Sequence, residues 1–268
     1  GIKSAFISIH SQMNCEAVEQ FVLNGRIVWT MTTVGYTKYT LNLLRWLTTV
    51  AKVPWKLCVV CCDKESETFF RRENVPYVSW NGDKVKRTQD GMAAFGTPGF
   101  EKCNRQKLSI LEWFCMNYSA CGITHSLYLD GDIVVRTDPW PLLDFKTDLL
   151  FQCDCFGTEN HGSGDFQCNT ICSGVIATRH VPGQEVLYQW EPALWEKSSK
   201  QDQPFIGSRL VNTNTPYTIL ERRIFGNGAW MKAGSWKNED WCLLHYNYLV
   251  SSTKRSAMKA NNHWLIIY

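Results

Sequence analysis

The chain has 268 residues, of which 44% are hydrophobic and 20% charged. That length suffices for one large core or two small ones, and that balance excludes a disordered chain. A formal net charge of +3 calls for no nucleic-acid partner and suits a local cationic site for phosphates. No apolar run approaches the roughly 18 residues needed to span a bilayer, and Gly1 to Gln12 do not read as a signal peptide. The sequence starts without Met, so a leader or anchor upstream stays open.

In chain order, strand and helix signals alternate through the first half. Gly25 to Thr33 is β-rich, and Gly35 marks a turn. Tyr36 to Val50 carries apolar residues at helical spacing: Tyr39, Leu43, Trp46, Leu47 and Val50. Trp55 to Cys62 is a continuous apolar run ending in Asp63, the pattern of a buried strand. A charged helix over Lys64 to Asn74 and a short strand over Val75 to Trp80 follow. Residues 81–100 read as a Gly-rich, charged loop, and Cys103 to Tyr118 as an amphipathic helix. Leu127 to Val135 is strand-like but broken by Asp130-Gly131-Asp132. Such alternation implies a parallel sheet with ligands at the carboxyl ends of its strands. The second half is less regular, richer in Gly, Asn and Trp, and no linker divides it from the first.

The 12 Cys fall below the density of a disulfide scaffold. Cys58, Cys61, Cys62, Cys115 and Cys242 lie in apolar runs and read as small buried hydrophobes, which favours a reducing compartment. Cys58 and Cys61 have a redox spacing, but a strand offers no helix N-terminus to stabilise a thiolate. The 12 Trp are many; a core uses some, and indoles also stack on sugars and nucleobases.

The sharpest signal is the pair Asp130 and Asp132 within an apolar strand. Burying two unpaired carboxylates is costly, and a divalent cation removes that cost. Hard oxygen ligands suit Mg²⁺ or Mn²⁺. Gly131 between them leaves room for a phosphate or ribose near the backbone.

This segment resembles the Asp-x-Asp signature of nucleotide-sugar glycosyltransferases with a GT-A fold. The nearest likenesses are the galactosyl- and xylosyltransferase family of plant cell walls and the glycogenin-like family. The resemblance runs from Gly25 to Trp264 and implies an α/β, Rossmann-like fold with a mixed central sheet flanked by helices. One catalytic domain spans residues 1–268, with a nucleotide-binding part near 25–135 and an acceptor and donor-sugar part near 136–268. Thr32, Thr33, Gly35 and Tyr36 resemble the nucleotide-binding turn; Asp63 is placed for base or ribose. Lys107, on the helix before Asp130, resembles a donor-contacting basic residue. Cys172-Ser173-Gly174-Val175 is similar to an Asn-Ser-Gly-like turn beside the donor sugar, with Cys where the family has Asn. Asp202 and Gln203, in Gln201-Asp202-Gln203-Pro204-Phe205, resemble the family's Asp-Gln segment near the anomeric carbon and read as a polar loop. His245 resembles the C-terminal His completing a metal site with Asp130 and Asp132, and Lys254 would meet the diphosphate.

The resemblance implies transfer from a UDP- or GDP-sugar to a hydroxyl of a glycan, protein or small molecule, with Mn²⁺ or Mg²⁺ and with retention. A cytoplasmic chain is expected from the thiols; a Golgi-lumenal one, its anchor outside this sequence, is the alternative. Two rivals remain. A sugar nucleotidyltransferase would want a basic, Gly-rich triphosphate loop, which Gly25 to Tyr36 lacks. A binding module could use Cys153, Cys155, His161, Cys168 and Cys172 for Zn²⁺ or disulfides, at spacings unlike common zinc sites. Asn117-Tyr118-Ser119 fits an N-glycosylation acceptor within the predicted helix.

Overall fold

The computed structural model describes residues 10–80, 97–155, 170–232, 234–238 and 240–267. Its centre is an eight-stranded sheet. The strands are β1 (His10–Gln12), β2 (Arg26–Thr32), β3 (Leu57–Cys61), β4 (Tyr77–Ser79), β5 (His125–Leu129), β7 (Leu149–Cys153), β8 (Ile171–Arg179) and β9 (Thr218–Ile219), in the order β1-β4-β3-β2-β5-β8-β7-β9. The five strands from β1 to β5 run parallel. β8 runs antiparallel to both β5 and β7. The sheet is therefore mixed, and the irregular second half supplies its antiparallel side.

The continuous apolar runs follow from burial on both faces. Along β3, Cys58 and Val60 enter one core while Leu57, Val59 and Cys61 enter the other. The first core is covered by α1 (Cys15–Glu19), α4 (Pro98–Asn117) and α6 (Asp202–Asn212), through Val18, Leu111, Phe114, Phe205 and Leu210. The second is covered by α2 (Thr37–Arg45) and α3 (Lys64–Arg72), through Leu41, Leu43 and Phe70. Helix α2 continues as a π-helical turn over Trp46–Val50. The predicted loop over residues 81–100 lies outside the described residues as far as 96. From Pro98 the chain is already α4, capped by Thr97, whose hydroxyl accepts the Phe100 N–H.

The apolar run around Asp130 is not one strand. β5 stops at Leu129, and β6 (Ile133–Val135) leaves for a second sheet of order β10-β11-β6. Its other strands are β10 (Phe225–Gly226) and β11 (Leu243–His245). Asp130-Gly131-Asp132 is the joint between the sheets. A third core, with Trp46, Trp230, Trp236, Trp241, Tyr246 and Met258, backs the small sheet and seats α8 (Ser251–Ala260). Many of the Trp are thus consumed by packing.

The thiols of Cys58, Cys61, Cys62, Cys115 and Cys242 are free and buried as expected. Burial pushes the Cys58 and Cys61 thiols well up, so neither is a ready thiolate. Two other cysteines, Cys15 and Cys121, form a disulfide that ties α1 to the turn after α4. Among the described residues no helix is long and apolar enough to cross a membrane. The bridge spans 106 residues of sequence, and cross-links over such loops typically stabilise by about 2–4 kcal/mol. Cys15→Ser should lower the unfolding free energy by about that amount in urea titration. An unchanged midpoint would show that packing alone holds α1.

Candidate active site

The carboxyl ends of the parallel strands carry Thr33 after β2, Asp63 after β3 and Asp130 after β5. β8, running the other way, brings its first residues to the same edge. Between Phe151 and Gln152 the β7–β8 register slips, and partners jump from Ile176 to Cys172. That irregularity presents Ser173 and Gly174 to Asp130, whose N–H donates to the Gly174 carbonyl at 2.8 Å.

Asp130, Asp132 and His245 converge so that one ligand atom from each lies within 4.8 Å of the others. His245 Nε2 is 3.3 Å from Asp132 Oδ1 and 3.5 Å from Asp130 Oδ2. β6 and β11 pair His245 with Ile133, which sets Asp132 and His245 side by side. Gln152 fixes the imidazole. Its amide nitrogen donates to the Phe225 and Gly226 carbonyls, so its oxygen faces His245 Nδ1 at 2.8 Å and can only accept. Nδ1 therefore carries a proton and Nε2 points at the carboxylates, the arrangement that metal-binding histidines require. Two hard oxygens and one imidazole suit Mn²⁺ or Mg²⁺.

Two buried lysines complete the charge balance. Lys254, on α8, lies 2.5 Å from Asp132 Oδ2. Lys107, on α4, is no solvated helix charge. It lies 2.9 Å from Asp202 Oδ2 and 3.4 Å from Asp130 Oδ1, and donates to the Ser173 carbonyl at 2.6 Å. Burial alone would lower both lysine pKa values; the facing carboxylates win and raise them. His245 follows the same logic. Burial opposes its charge, but Asp132 raises it to about 10.

Asp202 is not in a polar loop. It opens α6, is buried, and accepts from Ser173 Oγ at 2.8 Å. Gln203 Oε1 accepts the Ser173 N–H, and its Nε2 donates to Asp154 Oδ2 at 2.7 Å. Asp63 caps α3 by accepting the Ser66 N–H, and its other oxygen accepts the Val34 N–H at 2.8 Å. It therefore pins the turn holding Thr33, Gly35 and Tyr36. Thr32 accepts from the Thr40 hydroxyl. Lys254 Nζ lies 5.6 Å from the Tyr36 ring centre. Burial pushes the Tyr36 phenol up to about 12 against the pull of Lys254, so it stays neutral. The space beside Gly131 is taken by protein: a Cβ there would meet Thr40 Oγ1 at 2.8 Å.

Several neighbours were missed by sequence reasoning. Asp154 receives Tyr248 Oη, Gln203 Nε2 and, at 3.4 Å, Asn247 Nδ2. Gln152 is another. A lone acid between two cysteines, and a glutamine inside a strand, carry no spacing signal. Of the two uses weighed for the Cys/His cluster, zinc or disulfides, Cys155 shows the second. Cys153 and Cys172 carry no disulfide, and His161 and Cys168 lie outside the described residues.

A family model described as nucleotide-diphospho-sugar transferase matches residues 55–258, which include every residue of this carboxylate–histidine–lysine cluster. The chain belongs to that family. Solved transferase structures share the fold. One is the galactosyltransferase LgtC in complex with donor and acceptor sugar analogs, at 13% identity and TM-score 0.52, covering 90% of this chain and 97% of that one. Another is the glycosyltransferase GlyE of Streptococcus pneumoniae TIGR4, at 16% identity and TM-score 0.54, covering 92% of this chain and 61% of that one. A third, involved in glycosylation of the major capsid of PBCV-1, has 10% identity and TM-score 0.51, covering 88% and 98%. No curated protein matches the chain.

Two measurements probe this transferase's site. A Cβ on Gly174 would lie 2.0 Å from His245 Cε1 and 2.9 Å from Asp130 Oδ2. Gly174→Ala should therefore displace His245 and weaken Mn²⁺ binding at least about tenfold, read by calorimetry. Retained affinity would mean that His245 is not a ligand. The pH dependence has a definite sign. Metal-free His245 is protonated below about 10, and a metal needs its neutral form. Mn²⁺ affinity should then rise about tenfold per pH unit from pH 6 to 8, with one proton released. A flat profile would remove His245 from the metal site.

Proposed function

We propose that this nucleotide-diphospho-sugar transferase moves a hexose or pentose from a UDP- or GDP-sugar to a hydroxyl acceptor, with Mn²⁺ or Mg²⁺ and with retention of configuration. The observation that carries the reading is the convergence of Asp130, Asp132 and His245 with Lys254 and Lys107 at the carboxyl edge of the sheet. Asp130, Asp132 and His245 would hold the cation. When bound, it supplies Lewis-acid stabilisation to the diphosphate oxygens.

The remaining roles belong to the chain. Tyr36 and the turn after Thr32 and Thr33, pinned by Asp63, receive the base and ribose. Lys254, on the Tyr36 side of Asp132, stabilises charge on the departing diphosphate. Lys107 orients Asp202 and Asp130 and contacts the donor sugar, with Ser173 and Gly174 as its floor. The bond between the anomeric carbon and the phosphate oxygen breaks with its electron pair on the diphosphate. The acceptor oxygen bonds that carbon from the same face and gives its proton to the leaving phosphate. Asp202 and Gln203 lie against the oxocarbenium-like centre, where a fixed negative charge lowers the barrier. The chain acts as a single catalytic unit. The disulfide joining Cys15 and Cys121 favours an oxidising, lumenal setting over the cytoplasm.

The test is release of nucleoside diphosphate from a panel of UDP- and GDP-sugars, with Mn²⁺, with Mg²⁺ and with a chelator. Metal-dependent release from a sugar donor supports the reading; release unaffected by chelation overturns the metal role. Asp202→Asn should leave donor affinity nearly unchanged and reduce turnover by on the order of a hundredfold or more. Near-normal turnover would leave Gln203 or the donor phosphate as the better candidate.

A further inference from the structure

The two ends of a glutamine amide have opposite character, and in a catalytic site it matters which end faces the reacting centre. The backbone of Gln203 is fixed by helix packing, because α6 rests on α5 (Pro192–Lys197), where Trp195 meets Phe205 edge-on. Its amide is fixed separately. The Ser173 N–H can only donate, so the end that faces it at 3.2 Å is Oε1. The other end meets Asp154 Oδ2 at 2.7 Å. A carboxylate can only accept, so that end is Nε2. Ser173 also donates through Oγ to Asp202 Oδ2. Oxygens of Asp202 and Gln203 therefore converge on one residue, while the amide nitrogen points to Asp154.

Tyr248 keeps Asp154 in its accepting form. Its phenol donates to Asp154 Oδ1 and lies 3.0 Å from the Asp154 carbonyl, so it brackets side chain and main chain together. Burial pushes the Asp154 carboxyl up, and the bonds from Tyr248 and Gln203 oppose that push. A protonated Asp154 would be able to donate, and the amide would then be free to turn. Burial and the bond to Asp154 push the Tyr248 phenol up, so it keeps its proton and remains the donor. Asn247 adds a longer contact. Its Oδ1 accepts the N–H of Gly228, which opens α7 (Gly228–Lys232), at 2.6 Å, so its Nδ2 faces Asp154 Oδ1 at 3.4 Å. The Tyr248 backbone is itself unusual. Its φ is +64°, and among the described residues no other aromatic has a positive φ. A bulky side chain holds that conformation only where its surroundings over-determine it. Here the turn runs from β11, which ends at His245, to α8, which carries Lys254, and it directs the phenol onto Asp154.

We propose that Asp154 and Tyr248 are positioning residues that hold Gln203 with its carbonyl oxygen beside Asp202, so that both oxygens face the positive charge developing on the anomeric carbon. The proposal rests on the transferase reading above. An inverted amide would set N–H bonds against that charge and raise the barrier. Tyr248→Phe removes one hydroxyl from a half-buried ring, and Asp154→Ala removes the acceptor itself. Each should cut the turnover of nucleoside diphosphate release at least about tenfold, while UDP or GDP affinity with Mn²⁺, read by calorimetry, stays within about twofold of wild type. Action through Gln203 has a signature: in a Gln203→Ala background, Tyr248→Phe should cost no further turnover. Equal losses with and without Gln203 overturn the proposal, because a purely structural contact adds. So does normal turnover in Tyr248→Phe, or a loss of nucleotide affinity in step with turnover. A second readout needs no turnover. The Gln203 side-chain amide protons, assigned in nitrogen-15 spectra by their absence in Gln203→Ala, should exchange with solvent at least about tenfold faster in Asp154→Ala and Tyr248→Phe than in wild type. Unchanged exchange overturns the proposal, and this measurement decides alone where Gln203→Ala turns over too slowly for the comparison. A donor panel that yields no nucleoside diphosphate strikes the transferase reading and leaves the amide measurement standing.

Discussion

Asp132 is 2% exposed, and its charge is the constraint around which this site is arranged. A carboxylate that deep is strongly unfavourable unless cations and hydrogen bonds surround it. Lys254 and His245 meet its two oxygens, and the Tyr246 N–H donates to its backbone carbonyl. Each partner comes from the C-terminal part of the chain. The small sheet exists to place β11 beside β6, and the aromatic core behind it seats the helix that carries Lys254. The tryptophans are therefore a support for two positive charges as much as a hydrophobic reserve.

Lys107 makes a parallel arrangement on the opposite flank. It spans Asp130 and Asp202, which come from different elements, and lies 4.4 Å from the Tyr128 ring centre. A buried ammonium between two acids fixes their spacing as a crosspiece does. Asp202 is held in turn by Ser173, and Ser173 by Gln203. Motifs far apart in sequence thus form one hydrogen-bonded surface, and a change in any member shifts the others.

What was legible in the sequence follows from what leaves a local trace. Asp130 and Asp132 stand out because acids interrupt an apolar strand. The buried strands β2, β3 and β5 are visible because burial on both faces makes their runs continuous. His245, Lys254, Lys107 and Asp202 were found through family likeness; their neighbours alone do not distinguish them from core or surface residues. The structure brings them together. The polar neighbours of Asp202 misled as to its setting, since it begins a helix and is buried. β7 and β8 were hidden because their polar interruptions, Gln152 and Ser173, are site residues that break strand periodicity. Asp154 and the bridge from Cys15 to Cys121 have no local signature at all. Their partners are chosen by tertiary geometry.

The joint between the two sheets has a temporal consequence. Asp132 meets Lys254 across 122 residues of chain. During synthesis, the strand that carries the acids emerges long before the helix that neutralises them. Contacts of such separation form late, after the loop between them has been closed. Until then Asp132 has no reason to leave water, and β6 has no partner strand. The large sheet can assemble first around its parallel strands, while the small sheet, the aromatic core and the cation pocket arrive together as the last cooperative step. An intermediate halted before that step would have most of its secondary structure and no grip on a nucleotide.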